Sequence, residues 1–234
     1  MYIYGKNVVY ERIKKDKPIT KIYLAKKFND NNIINLLNDK KIKIEYLDHF
    51  KLDEKVKGLH QGIIALVDDY QTFDLKETIA NIKKDYPLVV MLDHLEDPHN
   101  FGAIIRTSEA LGVDAIIIPN DRSVSINGTV IKTSAGAIEN MKIIKVSNLV
   151  NAINYLKEKG YWIMGTDMSS TNINDIDYQM PICLVIGNEG KGISKLVKDN
   201  CDYMISIPMT GQINSLNASV ATGIIIYNIV NKRG

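Results

Sequence analysis

Only four of the 29 basic residues in this 234-residue chain are arginines, so wherever charge alone suffices the sequence carries lysine. Arg106 stands among small residues, between Ala103 and Ala110, in the stretch LDHLEDPHNFGAIIRTSEALG at 92–112. A rigid five-donor guanidinium there suits the grip of a phosphate or a carboxylate. A surface ion pair with Glu109, one turn on, accounts for it equally well. The stretch reads as an apolar strand, a polar Asp-Pro-His-Asn loop and a helix, with Asn100 as N-cap candidate and Gly112 as the stop. Phe101, Ile104, Ile105, Ser108 and Leu111 form its apolar-weighted face, which leaves Arg106 on the other side.

Two further loops carry chemical content. In LVIGNEGKGIS, 184–194, a strand ends in Gly187-Asn188-Glu189-Gly190-Lys191-Gly192, whose glycines permit a sharp bend or close approach to a ligand. The spacing is not that of a P-loop, and no Gly-x-Gly-x-x-Gly fingerprint occurs. Glu189 separates this loop from a plain turn, because a carboxylate flanked by small residues has little packing to do. In IPMTGQINSLNASVATGI, 207–224, Ser215 and Asn217 stand at the mouth of a helix, and capping explains one of them. The first turns of that helix carry Ala218, Ser219, Ala221, Thr222 and Gly223, a density of small residues that implies close approach by another backbone or a ligand.

Other chemistries fit less well. His94, Glu96, Asp97 and His99 are nearly consecutive and lack a second ligand cluster, so no metal site is expected. Ser215 lacks the Gly-x-Ser-x-Gly elbow of a hydrolase nucleophile. Cys183 and Cys201 have no Cys-x-x-Cys spacing and lie in or beside apolar runs, as reduced core or near-core thiols do.

These loops need a scaffold, and the chain has material for one. Hydrophobic residues make up 45% of it, ample for a buried core, and no apolar run reaches the ~20 residues of a membrane span. The amphipathic start, MYIYGKNVVYERIKK, is unlike a secretory leader, and a cytoplasmic protein is expected. Residues 1–68 hold 14 Lys/Arg against 9 Asp/Glu and residues 69–234 hold 15 against 18. A basic front and a mildly acidic remainder suit an RNA-docking module joined to a catalytic one, although a solvated lysine-rich surface gives the same count.

Hydrophobic periodicity predicts a helix over 6–15, a strand from Thr20, a helix over 31–40 and strands at 43–47 and 58–67. This is a small α/β domain at 1–68, followed by a linker and lead-in helix at 69–86. From 87 to 234 strands and helices alternate, which predicts an α/β domain with a largely parallel sheet whose ligand sits beyond the carboxyl ends of the strands.

Taken together, the three loops resemble the three motifs of the SpoU family, RNA ribose 2′-O-methyltransferases of the SPOUT superfamily. LDHLEDPHNFGAIIRTSEALG is similar to motif one, LVIGNEGKGIS to motif two and IPMTGQINSLNASVATGI to motif three. The front segment, with IYGKNVVYERIKK and HQGIIALV, resembles the substrate-binding domain of members that act on large-subunit ribosomal RNA. The resemblance covers nearly the whole chain. It implies an α/β-knot catalytic domain with a trefoil knot in its last third, an exception to the rarity of knots. It also implies S-adenosylmethionine as cofactor, held by Thr166, Gly187, Asn188, Ile207, Met209 and Leu216, and homodimers with active sites at the subunit interface.

A sulfonium methyl is already activated, so the enzyme must hold a ribose 2′-hydroxyl in line and assist loss of its proton. From residue chemistry alone Glu189 or His99 is the base candidate, since a guanidinium is effectively never neutral. The resemblance assigns that role to Arg106, whose fork can stabilise phosphate and developing alkoxide without losing a proton. Asn100 and Glu189 then orient Arg106 or the ribose, and Ser215 and Asn217 complete a polar wall. The expected substrate is a guanosine of 23S-type ribosomal RNA. Transfer RNA as the target, and a non-catalytic ribosome assembly factor, are the alternatives.

Overall fold

The computed structural model describes residues 1–212 and 215–234, with the side chains of 168 and 169 outside the description. Along the chain come β1 (Tyr2–Tyr4), α1 (Lys6–Lys14), β2 (Lys21–Ala25), α2 (Asn31–Asp39), β3 (Ile44–Leu47), α3 (His49–Lys55) and β4 (Ile63–Leu66). Next are α4 (Leu75–Ala80), β5 (Leu88–Leu92), α5 (Pro98–Ala110), β6 (Ala115–Pro119) and α6 (Gly128–Thr133). The remainder is β7 (Ile143–Val146), α7 (Leu149–Glu158), β8 (Trp162–Asn172), β9 (Ile182–Ile186), α8 (Lys195–Lys198), β10 (Tyr203–Ser206) and α9 (Ala218–Arg233).

The chain forms two compact units, one of residues 1–71 with 126–140, the other of 72–125 with 141–234. The first holds a four-stranded sheet in the order β1-β4-β2-β3, where only β2 and β3 are parallel. Tyr4, Tyr23, Ala25, Leu47, Leu52 and Ile64 form a core cluster in it. Two elements here escape periodicity. β1 is three residues whose ladder partner lies some sixty residues away, and α3 is a polar helix with a single buried residue, Leu52.

The stretch 126–140 lies by sequence in the later, catalytic part, yet it packs into this first unit. Glu139 is fully buried and receives the Arg12 guanidinium at 3.1 Å and the Lys17 ammonium at 3.0 Å. Tyr70 donates its hydroxyl to the Ile138 carbonyl, and Lys132 stands over the Tyr4 ring at 5.3 Å. Burying a carboxylate is costly unless it is paired and hydrogen-bonded, and these contacts supply both.

The second unit is a six-stranded, wholly parallel sheet in the order β10-β8-β9-β5-β6-β7. Every residue of β5, β6 and β9 is buried, as strands covered on both faces must be, so each reads as an unbroken apolar run. β8 pairs Gly165 with Met204 and then Thr171 with Ile205, so its residues 166–170 loop out of the ladder. Such a bulge re-aims side chains. The lead-in helix stops at Ala80, short of the end of the 69–86 segment, because in 81–85 only Ile82 has an apolar side chain to pack.

Candidate functional site

The three loops meet at the carboxyl end of the second unit's sheet. The helix after β5 begins earlier than expected. Asp97 is its N-cap, accepting from His99 N at 2.9 Å, and Pro98 takes the first helical position, where its missing N–H costs nothing. Asn100 is therefore inside the first turn rather than its cap, and it is buried. The correction gives its side chain another task.

Asn100 Nδ2 donates to Glu189 Oε1, and Asn100 Oδ1 accepts from Asn217 Nδ2 at 3.0 Å. Asn217 caps α9, its Oδ1 taking Ser219 N at 3.0 Å and Val220 N at 3.4 Å. All donors in this relay point one way, from the amino end of α9 through two amides to the Glu189 carboxylate. The polarity fixes both amide orientations, because a carboxylate can only accept. One residue from each of the three loops is thus locked to the next.

The glycine turn is held just as closely. Asn188 and Gly192 exchange backbone hydrogen bonds at 3.0 and 2.8 Å, and Asn188 Oδ1 accepts from Gly190 N at 2.9 Å. Asn188 Nδ2 donates to the His94 carbonyl at 3.0 Å. Sequence reasoning missed Asp93, which is buried at the end of β5, accepts from Ser194 N at 2.6 Å and binds the His94 ring. Its signal was available: an acidic residue directly after an apolar buried strand needs donors, and the turn facing it supplies them.

Beside the turn lies a cavity of about 380 Å³. Thr166, Gly187, Asn188, Ile207, Met209 and Leu216 all line it, and so do Glu189 and Ser215. Asp167 and Lys198, which pair with each other, and Ile225 of α9 line it as well. The β8 bulge is what brings Thr166 and Asp167 there. Asn100 and Asn217 stand behind the lining and act on it through Glu189.

Arg106 is placed differently. It is six residues beyond Asn100 on α5, about 120° around the helix at 3.6 residues per turn. It does not line the cavity; its side chain is exposed and makes no hydrogen bond or ion pair among the described residues. His99 is also exposed. Among the described residues no group of three His, Cys, Asp or Glu gathers as metal ligands do, and no helix is long and apolar enough to cross a membrane.

Comparison with known proteins identifies the arrangement. Residues 87–227 match the SpoU rRNA Methylase family, and residues 2–73 match the domain described as RNA 2′-O ribose methyltransferase substrate binding. The chain belongs to the SpoU family. A Bacillus subtilis (strain 168) protein assigned to the TrmH family of tRNA/rRNA methyltransferases, YacO, is 42% identical over 99% of this chain and 96% of its own length. The fold matches a crystal structure of the SpoU methyltransferase AviRb from Streptomyces viridochromogenes in complex with AdoMet. Its TM-score is 0.85 at 22% identity, covering 100% of this chain and 90% of that one. A TrmH/SpoU tRNA modifying enzyme of A. aeolicus is 37% identical with a TM-score of 0.58, covering 68% of this chain and 80% of that one.

Membership makes the chain an S-adenosylmethionine-dependent RNA 2′-O-ribose methyltransferase. The cavity suits that cofactor. Its volume is within the ~300–1,000 Å³ usual for small-molecule sites. Ile186, Ile193, Ile205, Ile207 and Leu216 give apolar wall for a purine, Glu189 gives negative charge for a cationic centre, and the glycine turn gives backbone groups at close range.

Proposed function

We propose that this SpoU enzyme methylates a guanosine ribose of large-subunit, 23S-type ribosomal RNA, in the cytoplasm and as a homodimer. The relay from α9 through Asn217 and Asn100 to Glu189 is the observation that carries the site assignment. It ties the three motif loops to one carboxylate on the cavity wall. The basic first unit, matched over 2–73 by a substrate-binding model, supports RNA docking ahead of the catalytic unit. The knotted last third implied by the resemblance belongs to the same reading.

Dimerisation is supported by α9, which buries Thr222, Ile225, Ile226 and Ile229 on one side and exposes Val220, Ile224, Tyr227 and Val230 on the other. A helix apolar all round is a helix covered all round. A second copy is the cover we propose, and it also resolves the placement of Arg106. α5 packs directly on α9, and on this reading an interface on these helices presents the Arg106 of one copy to the cavity of the other, as the resemblance implies for active sites at the subunit interface.

In this arrangement each residue has a task. The bound cofactor supplies an activated methyl on a sulfonium centre. Thr166, Gly187, Asn188, Ile207, Met209 and Leu216 hold it, and the apolar wall excludes water. Arg106 grips the RNA phosphate and donates to the ribose 2′-oxygen while the hydroxyl proton passes to solvent water, a charge-stabilising role that needs no loss of the guanidinium proton. Glu189, aimed by Asn100, orients the ribose or the incoming fork, and Ser215 closes the polar side.

The test uses unmodified ribosomal and transfer RNA with labelled S-adenosylmethionine, followed by mapping of alkali-resistant positions. Ribose methylation removes the 2′-hydroxyl on which alkaline cleavage depends. Arg106→Ala abolishes transfer while cofactor binding survives, and Arg106→Lys fails as well for want of the fork. Label confined to transfer RNA overturns the ribosomal target, and near-normal turnover in Arg106→Lys overturns the role of the fork.

A further inference from the structure

The four arginines divide sharply by what their forks touch. Arg12 gives Nε and Nη2 to the Pro18 carbonyl at 3.2 and 3.1 Å and Nη1 to Glu139. Arg233 gives its three nitrogens to the carbonyls of Tyr178, Tyr86 and Met180 at 2.7–2.9 Å. In both, every guanidinium nitrogen is bound by the protein. Arg106 and Arg122 are exposed and make no hydrogen bond or ion pair among the described residues, Asp121 beside Arg122 included.

Arg122 sits mid-loop after β6, and both sides of that loop are anchored. Asn120 N donates to Val146 O at 2.9 Å, while Val124 N and Ser123 Oγ both donate to Leu95 O at 2.8 and 3.3 Å. Leu95 belongs to the loop that ends in Asp97, the N-cap of α5, and its neighbour His94 offers the carbonyl that Asn188 of the cavity wall binds. Arg122 is therefore presented at the carboxyl end of the sheet, a few contacts from the cofactor wall. Its backbone is left-handed, φ +52°, a conformation that glycine adopts without strain and arginine does not. An arginine held there at a conformational cost, with no acceptor among the described residues, is available to a group outside the chain.

We propose that Arg122 is a second RNA-gripping residue, binding a backbone phosphodiester of the substrate a few nucleotides from the ribose that is methylated. The proposal rests on the RNA methyltransferase reading. A guanidinium pairs bidentately with phosphate oxygens, which fixes the strand's register without reading sequence.

The experiment compares the wild type, Arg122→Gly and Arg122→Lys in the full-length protein. It measures equilibrium binding of an unmodified 23S-type ribosomal RNA transcript across a salt series, cofactor affinity, oligomeric state, thermal midpoint and, on the same RNA, KM and kcat. Glycine suits the backbone, so Arg122→Gly folds with an unchanged or raised midpoint and loss of binding is not loss of fold. Its RNA affinity falls ~10- to 100-fold with a matching rise in KM. Its log–log salt slope is shallower by ~0.7–0.9, one phosphate contact. Arg122→Lys keeps the slope and loses several-fold in affinity. Unchanged RNA affinity and slope in Arg122→Gly overturns the proposal. So does a shift in cofactor affinity, which would make Arg122 a cofactor residue, or in oligomeric state, which would make it a subunit contact. Absence of methyl transfer in the wild type with RNA binding still sensitive to Arg122 overturns the enzymatic reading instead.

Discussion

The glycine turn offers three substitutions that add the same methyl group at different surroundings and backbone angles. At Gly187 an added Cβ falls 2.2 Å from Gly192 C, 2.4 Å from Ile193 N and 2.6 Å from Gly192 O, all backbone atoms. Carbon contacts settle near 3.5 Å, so the 192–193 backbone must retreat by about 1.3 Å. That motion breaks the reciprocal Asn188–Gly192 hydrogen bonds, about 1 kcal/mol each, on top of overpacking worth about 1–3 kcal/mol. A local cost of about 3–5 kcal/mol follows. Because 189–192 are exposed, it falls on the cavity wall rather than on the core. Gly192→Ala meets nothing within 4 Å but sits at φ +66°, which costs about 1–2 kcal/mol. Gly190→Ala meets only Asn188 Oδ1, at an ordinary 3.6 Å. Calorimetric titration with S-adenosylmethionine should then show losses of more than ~100-fold for Gly187→Ala, ~5- to 30-fold for Gly192→Ala and under ~3-fold for Gly190→Ala. A melt of each variant checks that the fold survives. Gly187→Ala binding within threefold of wild type, or Gly190→Ala proving worse than it, refutes the steric reasoning.

Two further outcomes test the core of each unit. Glu139→Ala strands the buried Arg12 guanidinium and should cost about 3–5 kcal/mol in chemical denaturation, whereas Arg12→Leu with Glu139→Leu should be near neutral; a single-variant cost below about 1 kcal/mol refutes the pairing. Burial pushes the Cys201 thiol up from 9.0 to about 11 and the wholly buried Cys183 thiol higher still. The thiolate is the nucleophile, so alkylation of Cys201 near pH 7.5 should run about 100-fold slower than for a free thiol, and the buried Cys183 should label only on unfolding. Rapid labelling of the folded protein counts against this burial.

Legibility in the sequence followed the range of the interactions involved. β5, β6 and β9 announce themselves because strands buried on both faces are continuous apolar runs, and alternation with helices makes the sheet parallel. β1 and α3 do not, since one is three residues long and the other buries one side chain. The helix start was readable and misassigned. Asp97 followed by Pro98 is a stronger entry signal than Asn100, and the cap geometry bears it out. The packing of 126–140 was not readable at all, because Arg12 and Glu139 are 127 residues apart and each alone looks like ordinary surface charge. The same holds for the site. The three loops were visible as loops, and the cavity lining follows their residues closely, but the relay through Asn100 and Asn217 depends on separations of 89 and 117 residues.

That relay explains why two asparagines, rather than stronger acids or bases, stand behind Glu189. An amide both donates and accepts, so it transmits direction without carrying charge, and a chain of two imposes on the carboxylate the polarity of the α9 amino end. Aspartate at either position would end the relay: at 100 it would face Glu189 with no donor, and at 217 it would have none to offer residue 100. The guanidinium, by contrast, cannot be part of such a relay, because it only donates. It needs acceptors: Arg12 and Arg233 find theirs in carbonyls and a carboxylate of the chain, whereas Arg106 and Arg122 are exposed and meet none among the described residues. On the proposed reading, the amides align what the protein owns and the exposed forks hold what it does not.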